Sequence, residues 1–445
     1  MTTDPPTAGE HIRVGGRSST GRAFGVTLAT SGATILLGLV SGVLTARFLG
    51  ADGRGVVAAV STWTLTLTWA SNLSFADGMI FLQSRGADRR RALGTTLVIA
   101  PVLGAVGIGI AQILVPIGFS AQSEETRMIA RVFLCAVPVV LTTEAMWAML
   151  MARHRFVFLG AVRIAQPAMY VLILIALLGA DRFSPVTVLT AQVVSYAVAL
   201  TVALVGLVSE GISWPDRRLA GRAVGYGLRM QGVTLGALRL DSVALPAFVT
   251  ATQIGYYSIA VNVSSMVVAL FGSVAMVIFP VTASADGPAG RRVLERGLRV
   301  NFLGGGVAVL GLAVVAPWLI PFVYGAEFAA AVPPLWLMLP GMVLFSASNA
   351  LMAALQGLGT PGRASLAHLG GALVLLTGLV LTVPVHGILA AALMSTLGYT
   401  VVFLLSYRLV SRRSGLSLRA TLSPAEMRQD ARWLRERIHR LRERG

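Results

Sequence analysis

The sequence predicts an all-α polytopic membrane protein of about twelve transmembrane helices, in two six-helix lobes related by a parallel pseudo-two-fold repeat. Three observations carry this expectation. Of 445 residues, 55% are hydrophobic and 12% charged, and the mean hydropathy is +0.77, more apolar surface than a soluble domain of this length buries. Apolar runs long enough to span a bilayer recur along the whole chain. Short elements of the first half also return in the second at a nearly constant offset.

A helix needs about 20 apolar residues to cross roughly 30 Å of hydrocarbon, and lipid leaves the backbone only the helix or the closed barrel. Runs this long mean helices. The expected spans are 25–46, 56–80, 94–119, 129–151, 157–180, 186–208, 223–246, 255–281, 299–322, 331–356, 364–384 and 387–408. An even number places both termini on one side. The first run outlasts a signal-peptide core and is expected to remain as an uncleaved span.

Charge sets the orientation. Every basic residue is Arg, and the formal charge is +17. The arginines sit between the apolar runs and at the two ends, which is the pattern of membrane topology and not of a folded nucleic-acid-binding face. The N-terminal segment and the even-numbered connections hold seventeen arginines, among them Arg85, Arg89, Arg90, Arg91, Arg153, Arg155 and Arg217. The odd-numbered connections hold five: Arg47, Arg54, Arg127, Arg131 and Arg182. The positive-inside rule then puts both termini in the cytoplasm. The expected divisions are a disordered cytoplasmic N-terminus over 1–24, an N-lobe over 25–208 (helices 1–6), a cytoplasmic linker over 209–222, a C-lobe over 223–410 (helices 7–12) and a basic cytoplasmic tail over 411–445.

The repeat is visible as Phe48 and Gly55 returning as Phe248 and Gly255, and as Ala145, Ala148 and Leu150 returning as Ala350, Ala353 and Leu355. Parallel repeats of this kind are common in transporters. In the tail, Ser423-Pro424-Ala425-Glu426 reads as a capping box with proline at the first helical position. The stripe Met427, Ala431, Leu434, Ile438 and Leu441, opposed by arginines, reads either as a helix lying on anionic lipid or as a solvated basic tail.

Ionisable groups inside the bilayer cost at least a few kcal/mol each and normally face a bundle interior or a wet cavity. Arg163 falls in the fifth span with Gln166 beside it, Arg229 and Arg239 in the seventh with Gln231, and Glu144 in the fourth. Asp77 and Asp241 lie nearer span ends. Arg229 and Arg239 are about 15 Å apart along a helix and about 80° around it, so both can border one cavity. Three central arginines against one glutamate favour an anionic guest, above all a phosphate or pyrophosphate held by guanidinium forks. The alternative is architectural: Glu144 pairs with Arg163, and Asp241 with Arg239. Glu144, Asp241 and Asp77 are therefore either coupling groups or ion-pair partners. The pair Gly38/Gly42 and the run Gly304-Gly305-Gly306 are expected to permit close helix packing.

No nucleophile–base pair, His cluster, Walker loop or metal-ligand spacing occurs, and Cys135 is the single cysteine. Neither an enzyme nor a resident cofactor or metal is expected. Energy input falls to a sodium or proton gradient or to the membrane potential.

The stretch Arg47-Phe48-Leu49-Gly50-Ala51-Asp52-Gly53-Arg54-Gly55 resembles the Arg-x-Leu-Gly…Gly signature of the polysaccharide and oligosaccharide (O-antigen-type) flippases, within the multidrug/oligosaccharidyl-lipid/polysaccharide exporter superfamily. Asp241 followed by Gly255-Tyr256-Tyr257-Ser258-Ile259-Ala260 is similar to that family's seventh-to-eighth span region. Tyr324-Gly325-Ala326-Glu327-Phe328 looks like its Gly-x-x-Phe loop, and Ala354-Leu355-Gln356-Gly357-Leu358-Gly359 like the end of its tenth span. The resemblance covers 25–410 and makes Arg47, Gly50 and Gly55 family-type loop residues. It implies a two-lobed bundle whose central cationic cavity opens alternately to each side, moving a polyprenyl-diphosphate-linked glycan for cell-surface polysaccharide assembly. The implied partners are membrane lipids and a polysaccharide polymerase or glycosyltransferases, not nucleic acid. Arg54 stands where the family often has an aromatic residue, and the lack of two further helices argues against the peptidoglycan precursor as cargo. The rival is a cation-coupled multidrug exporter of the same superfamily, whose members generally carry a carboxylate in the first span; residues 25–46 have none.

Overall fold

The structure, a computed structural model, describes residues 17–236, 239–271, 288–357, 361–417, 421 and 423. These residues form helices and turns, with no strand among them. In chain order the helices are α1 (Arg17–Asn72), α2 (Phe75–Ser84), α3 (Arg89–Gly118), α4 (Glu124–Leu134), α5 (Val137–Ala152), α6 (Phe156–Gly179), α7 (Pro185–Val208), α8 (Arg217–Gly236), α9 (Leu240–Ala244), α10 (Ala251–Phe271), α11 (Pro288–Tyr324), α12 (Val332–Gly357) and α13 (Pro361–Ser414). Eight stretches are long and apolar enough to cross a membrane, and α4 with α5 makes a ninth span bent by 41°. Splitting the double-length α1 and α13 at their internal breaks, and counting α8 as the opening of a further span, gives about twelve crossings. The chain is a multi-pass membrane protein.

The double-length helices turn on glycine. Gly50 in α1 has φ 67° and Gly387 in α13 has φ 59°, a left-handed backbone that side chains disfavour. The loop expected over Arg47–Gly55 thus shrinks to one residue: Ala51 onward is helical, and the Arg54 guanidinium donates across the turn to Thr45 Oγ1 at 2.7 Å. In a straight helix these two residues would stand about 13.5 Å apart along the axis.

Other expected spans are broken. The second is interrupted by Leu73 and Ser74, both left-handed at φ 49° and 50°. The seventh stops at Gly236 and resumes at Leu240, with 237–238 outside the described residues. Prolines are accommodated where another group serves the carbonyl they cannot. Pro317 leaves Ala313 C=O without its i+4 amide, and the Trp336 indole donates to that oxygen at 2.9 Å.

The two halves meet across a crossing of backbone on backbone. A Cβ on Gly55 would overlap the Ala251 carbonyl, and a Cβ on Gly255 would overlap the Ala51 carbonyl. The relation is reciprocal at an offset of 200, and Thr252 Oγ1 donates to Asp52 Oδ1 at 3.2 Å by the same offset. Around it, Arg47 donates to the Phe322 and Val323 carbonyls, Gln122 to those of Pro246 and Val249, and Trp63 to that of Val243. This end of the bundle, marked by the Gly50 turn, is sealed between the halves.

The opposite end carries the arginines, and there the core divides. One apolar cluster unites both halves near the crossing, through Val57, Val60, Ile254 and Ile259. Toward the arginine-rich end it gives way to two separate clusters. One surrounds Met146, Met149 and Leu150, and the other Leu298, Leu351 and Phe403. Among the described residues the non-helical link between the halves runs over 209–216, α8 starting inside the stretch expected as linker. It is pinned by Glu210, which accepts from Arg153 Nη1 at 2.7 Å and Arg155 Nη1 at 3.4 Å. The N-terminal residues 1–16 and the proposed tail helix over 423–444, apart from Ser423, lie outside the described residues.

Glycine spacing alone misled. A Cβ at Gly38, Gly42 or Gly306 would meet nothing within 4 Å, so these glycines mark no crossing, whereas Gly304 faces the Phe271 ring. Gly55→Val is therefore expected to lower the thermal midpoint of the purified protein by an overpacking cost of about 1–3 kcal/mol, and Gly38→Val to leave it unchanged. Equal effects at the two positions would contradict the crossing.

Two helix starts at the arginine-rich end are capped by aspartates, Asp88 exposed and Asp216 half-buried. Asp216 accepts from Arg218 N at 2.8 Å and Leu219 N at 3.2 Å, and the Leu219 amide foremost holds its carboxyl below the usual range. Asp88 is lowered mainly by the Arg91 amide. A depressed carboxyl stabilises the fold above its unfolded pKa of about 3.9 and loses that contribution as the pH falls through its lower folded value. The protection of amides at the start of α8, taken relative to their intrinsic exchange rates, is thus expected to hold from pH 8 to 5 and to fall only at stronger acidity; Asp216→Ala abolishes this dependence.

Candidate functional site

Directly beneath the sealed crossing lies a cavity of about 230 Å³ between the halves. One wall is the second arm of α1, with Arg54, Val57, Ser61 and Thr62; the other is α10, with Ile254, Tyr257, Ser258 and Asn262. Tyr170 of α6, Gln192 of α7 and Ser242 of α9 complete it. The crossing forces this arrangement, because helices that touch at Gly55 and Gly255 diverge below the contact. Ser61 Oγ donates to Gln192 Oε1 at 2.7 Å, which fixes the amide on the N-half wall.

Arg54 is the one charged residue lining this cavity. Its Nη1 is occupied by Thr45, its Nε is buried with no acceptor, and no carboxylate lies within ion-pair distance of it among the described residues. A buried guanidinium lacking a counter-charge is costly. The tyrosine, serine, threonine, asparagine and glutamine around it supply neutral donors. Such an arrangement can receive an anion, with charge from one residue and orientation from the rest.

Of the arginines singled out from sequence, Arg163 and Arg239 do not line this cavity. Arg239 faces Asp241 at 3.5 Å and donates from Nη1 to Ser265 Oγ at 3.2 Å. Asp241 is fully buried and accepts from Tyr257 Oη at 2.6 Å and Ser395 Oγ at 3.1 Å. The pair is a charge contact without a hydrogen bond, since Arg239 Nε and Asp241 Oδ1 both lack hydrogen-bond partners. Its effect on the cavity is indirect: Asp241 anchors the Tyr257 ring that forms part of the wall. Arg163 lies in α6, exposed, with its guanidinium 5.8 Å from the Trp147 ring centre. Glu144 accepts from the Trp69 indole at 3.1 Å and is not within ion-pair distance of Arg163. Asp77 is exposed in the first turn of α2. Gln166 donates to Ser195 Oγ at 3.0 Å. Gln231 is buried against the carbonyls of Trp69 and Ala70. The Arg229 backbone belongs to α8, while its side chain lies outside the described residues.

Arg54 is the candidate group that sequence reasoning misses. It falls among the loop arginines, because a one-residue turn at Gly50 is invisible to hydropathy. The available signal was its departure from the aromatic residue common at that point of the resembling family.

No family model matches the chain. A stretch of 129 residues, 28% of the chain, is 36% identical to stage V sporulation protein B of Bacillus subtilis (strain 168), and the match spans 24% of that relative's length. Solved structures agree over far more. The chain superposes on lipid II flippase MurJ in an inward closed conformation with TM-score 0.72 and 12% identity, covering 86% of this chain and 87% of that one. On an inward-facing multidrug resistance MATE family transporter of the MOP superfamily the values are 0.70 and 12%, covering 88% and 96%. The chain shares the overall fold of these two solved proteins.

Tyr257→Phe is expected to remove the shortest hydrogen bond to Asp241 and to destabilise the protein by about 1.5–3 kcal/mol, as for a bond to a charged acceptor. Thermal unfolding in detergent reads this directly; an unchanged midpoint would show that the phenol does not hold the carboxylate.

Proposed function

We propose that this protein is a flippase that carries a polyprenyl-diphosphate-linked oligosaccharide across the bacterial cytoplasmic membrane by alternating access, for assembly of cell-surface polysaccharide. The observation that carries the reading is Arg54, a part-buried guanidinium whose Nε is buried without an acceptor and which has no carboxylate within ion-pair distance among the described residues, facing a cavity between two halves. It would hold the diphosphate of the cargo, while the glycan lies in the passage below and the polyprenol tail stays in lipid. Arg239 would act through Tyr257 in keeping the cavity wall in place. The arginine-rich end would face the cytoplasm, by the positive-inside rule.

Two further features support an opening toward that end. The apolar core is one cluster at the Gly50 end and two toward the arginines, where α8 joins the first of the two through Ala223. Asp77 and Arg163 are exposed at about 10 Å from the ends of their spans; facing lipid there would cost several kcal/mol each, so a wet cleft explains them better. The polymerase and glycosyltransferases of the same polysaccharide would be the partners, and the membrane potential or an ion gradient the energy source. The multidrug exporter remains the second reading, favoured by the MATE-like superposition. It is weakened by a first span without a carboxylate and by a cavity whose charge repels cationic drugs.

The test is transport of a fluorescent lipid-linked oligosaccharide in proteoliposomes. Arg54→Gln is expected to slow translocation at least tenfold, about 1.4 kcal/mol or more of lost anion binding, with Arg54→Lys retaining part. Full-speed transport by Arg54→Gln would remove the diphosphate role from this residue, and efflux of ethidium without glycan transport would establish the rival.

A further inference from the structure

Gln231 is expected from sequence to line the substrate passage, yet its amide is fully committed elsewhere. Its Nε2 lies 3.3 Å from both the Trp69 and the Ala70 carbonyl oxygens, and its Oε1 accepts from Ser74 Oγ at 2.9 Å. All three partners belong to the opposite half of the molecule. In an unbroken helix the carbonyls of residues 69 and 70 take the amides of residues 73 and 74. Those residues are Leu73 and Ser74, the two consecutive left-handed positions at which the second span bends.

Left-handed backbone is disfavoured for any residue with a Cβ, and a bulky side chain such as leucine is an outlier there. Neither glycine nor proline explains the bend, so something outside the span holds it. The contact surface is one stripe of α8, four residues apart at each step. A Cβ on Gly78 would overlap the Ala223 carbonyl, a Cβ on Gly227 would overlap the Leu73 carbonyl, and Gln231 follows one turn further on. The stacked Phe81 and Tyr226 rings, 4.2 Å between centres, extend the contact beside it. The α8 backbone therefore presses on the break while the Gln231 amide replaces the hydrogen-bonding that the left-handed pair disrupts.

We infer that Gln231 is an inter-lobe latch: it stabilises a strained bend at Leu73–Ser74 that belongs to the state sealed at the Gly50 end, and its withdrawal lets the second span straighten as that end opens. Gln231 thus acts on the conformational equilibrium as a positioning residue and not on the cargo. A bond that exists in one state and not the other shifts the balance by its own free energy. The strain opposes it, which keeps the two states close.

The inference rests on the alternating-access reading but not on the identity of the cargo. The reporter is a disulfide between Asp52→Cys and Thr252→Cys at the sealed crossing, in a Cys135→Ser background, formed by a brief oxidative pulse on the full chain in proteoliposomes. Gln231→Met, which keeps the volume and removes the donors, should cut the crosslinked fraction, with the underlying equilibrium shifted roughly tenfold. Adding Leu73→Gly, which relieves the left-handed strain, should restore it, and Leu73→Gly alone should raise it above the parent. The Leu73→Gly arm also decides the matter if Gln231 variants fail to fold. A parent that crosslinks in part, with neither Gln231→Met nor Leu73→Gly changing the fraction, overturns the latch alone. A parent crosslinked completely under every condition overturns the latch and alternating access together.

Discussion

Two helices can approach until their backbones touch only where both lack side chains, and at Gly55 and Gly255 each glycine receives a carbonyl from the other's helix. Much of the architecture depends on that mutual approach. It fixes the second arm of α1 against α10, and so determines which residues of each helix face the space below. It places Asp52 against Thr252 and brings Arg54 to the roof of the cavity. A side chain at either position would part the helices and separate the two walls.

The buried charges divide into two kinds, and the division follows from where each can find a partner. Arg239 and Asp241 stand two residues apart on either side of a helix start, with Tyr257, Ser265 and Ser395 close by, so their charges are balanced within one half. Arg54 emerges from a one-residue turn on the opposite side of the cavity. It donates to the Thr45 hydroxyl, and no carboxylate lies within ion-pair distance of it among the described residues. Balanced pairs give form to a membrane bundle; an unbalanced charge gives it affinity for something of opposite sign.

Much of this was legible in the sequence. Hydropathy gave the helical membrane class, and the recurrence of Phe48 and Gly55 as Phe248 and Gly255 disclosed the offset that the crossing uses. The adjacency of Arg239 and Asp241 suggested their pairing. What stayed hidden depended on backbone events that leave weak traces in composition. The turn at Gly50 takes one residue, so Arg54 read as a loop charge. The bend at Leu73 and Ser74 has neither glycine nor proline to announce it, because its support comes from Gln231 more than 150 positions away. The spacing of Gly38 and Gly42 imitated a packing motif, yet both glycines face open space. Spacing identifies residues that permit a close approach, and only the fold decides which of them receive one.

A crossing built from backbone also bears on how firmly the sealed end is held. Two glycines bury little apolar surface, so the hydrophobic effect contributes little at the point of contact itself. Around it, the apolar cluster through Val57, Val60, Ile254 and Ile259 unites the halves, and polar contacts from Arg47, Gln122, Trp63 and the Asp52–Thr252 pair add to the seal. Hydrogen bonds between groups that water could otherwise serve are worth about 1 kcal/mol each.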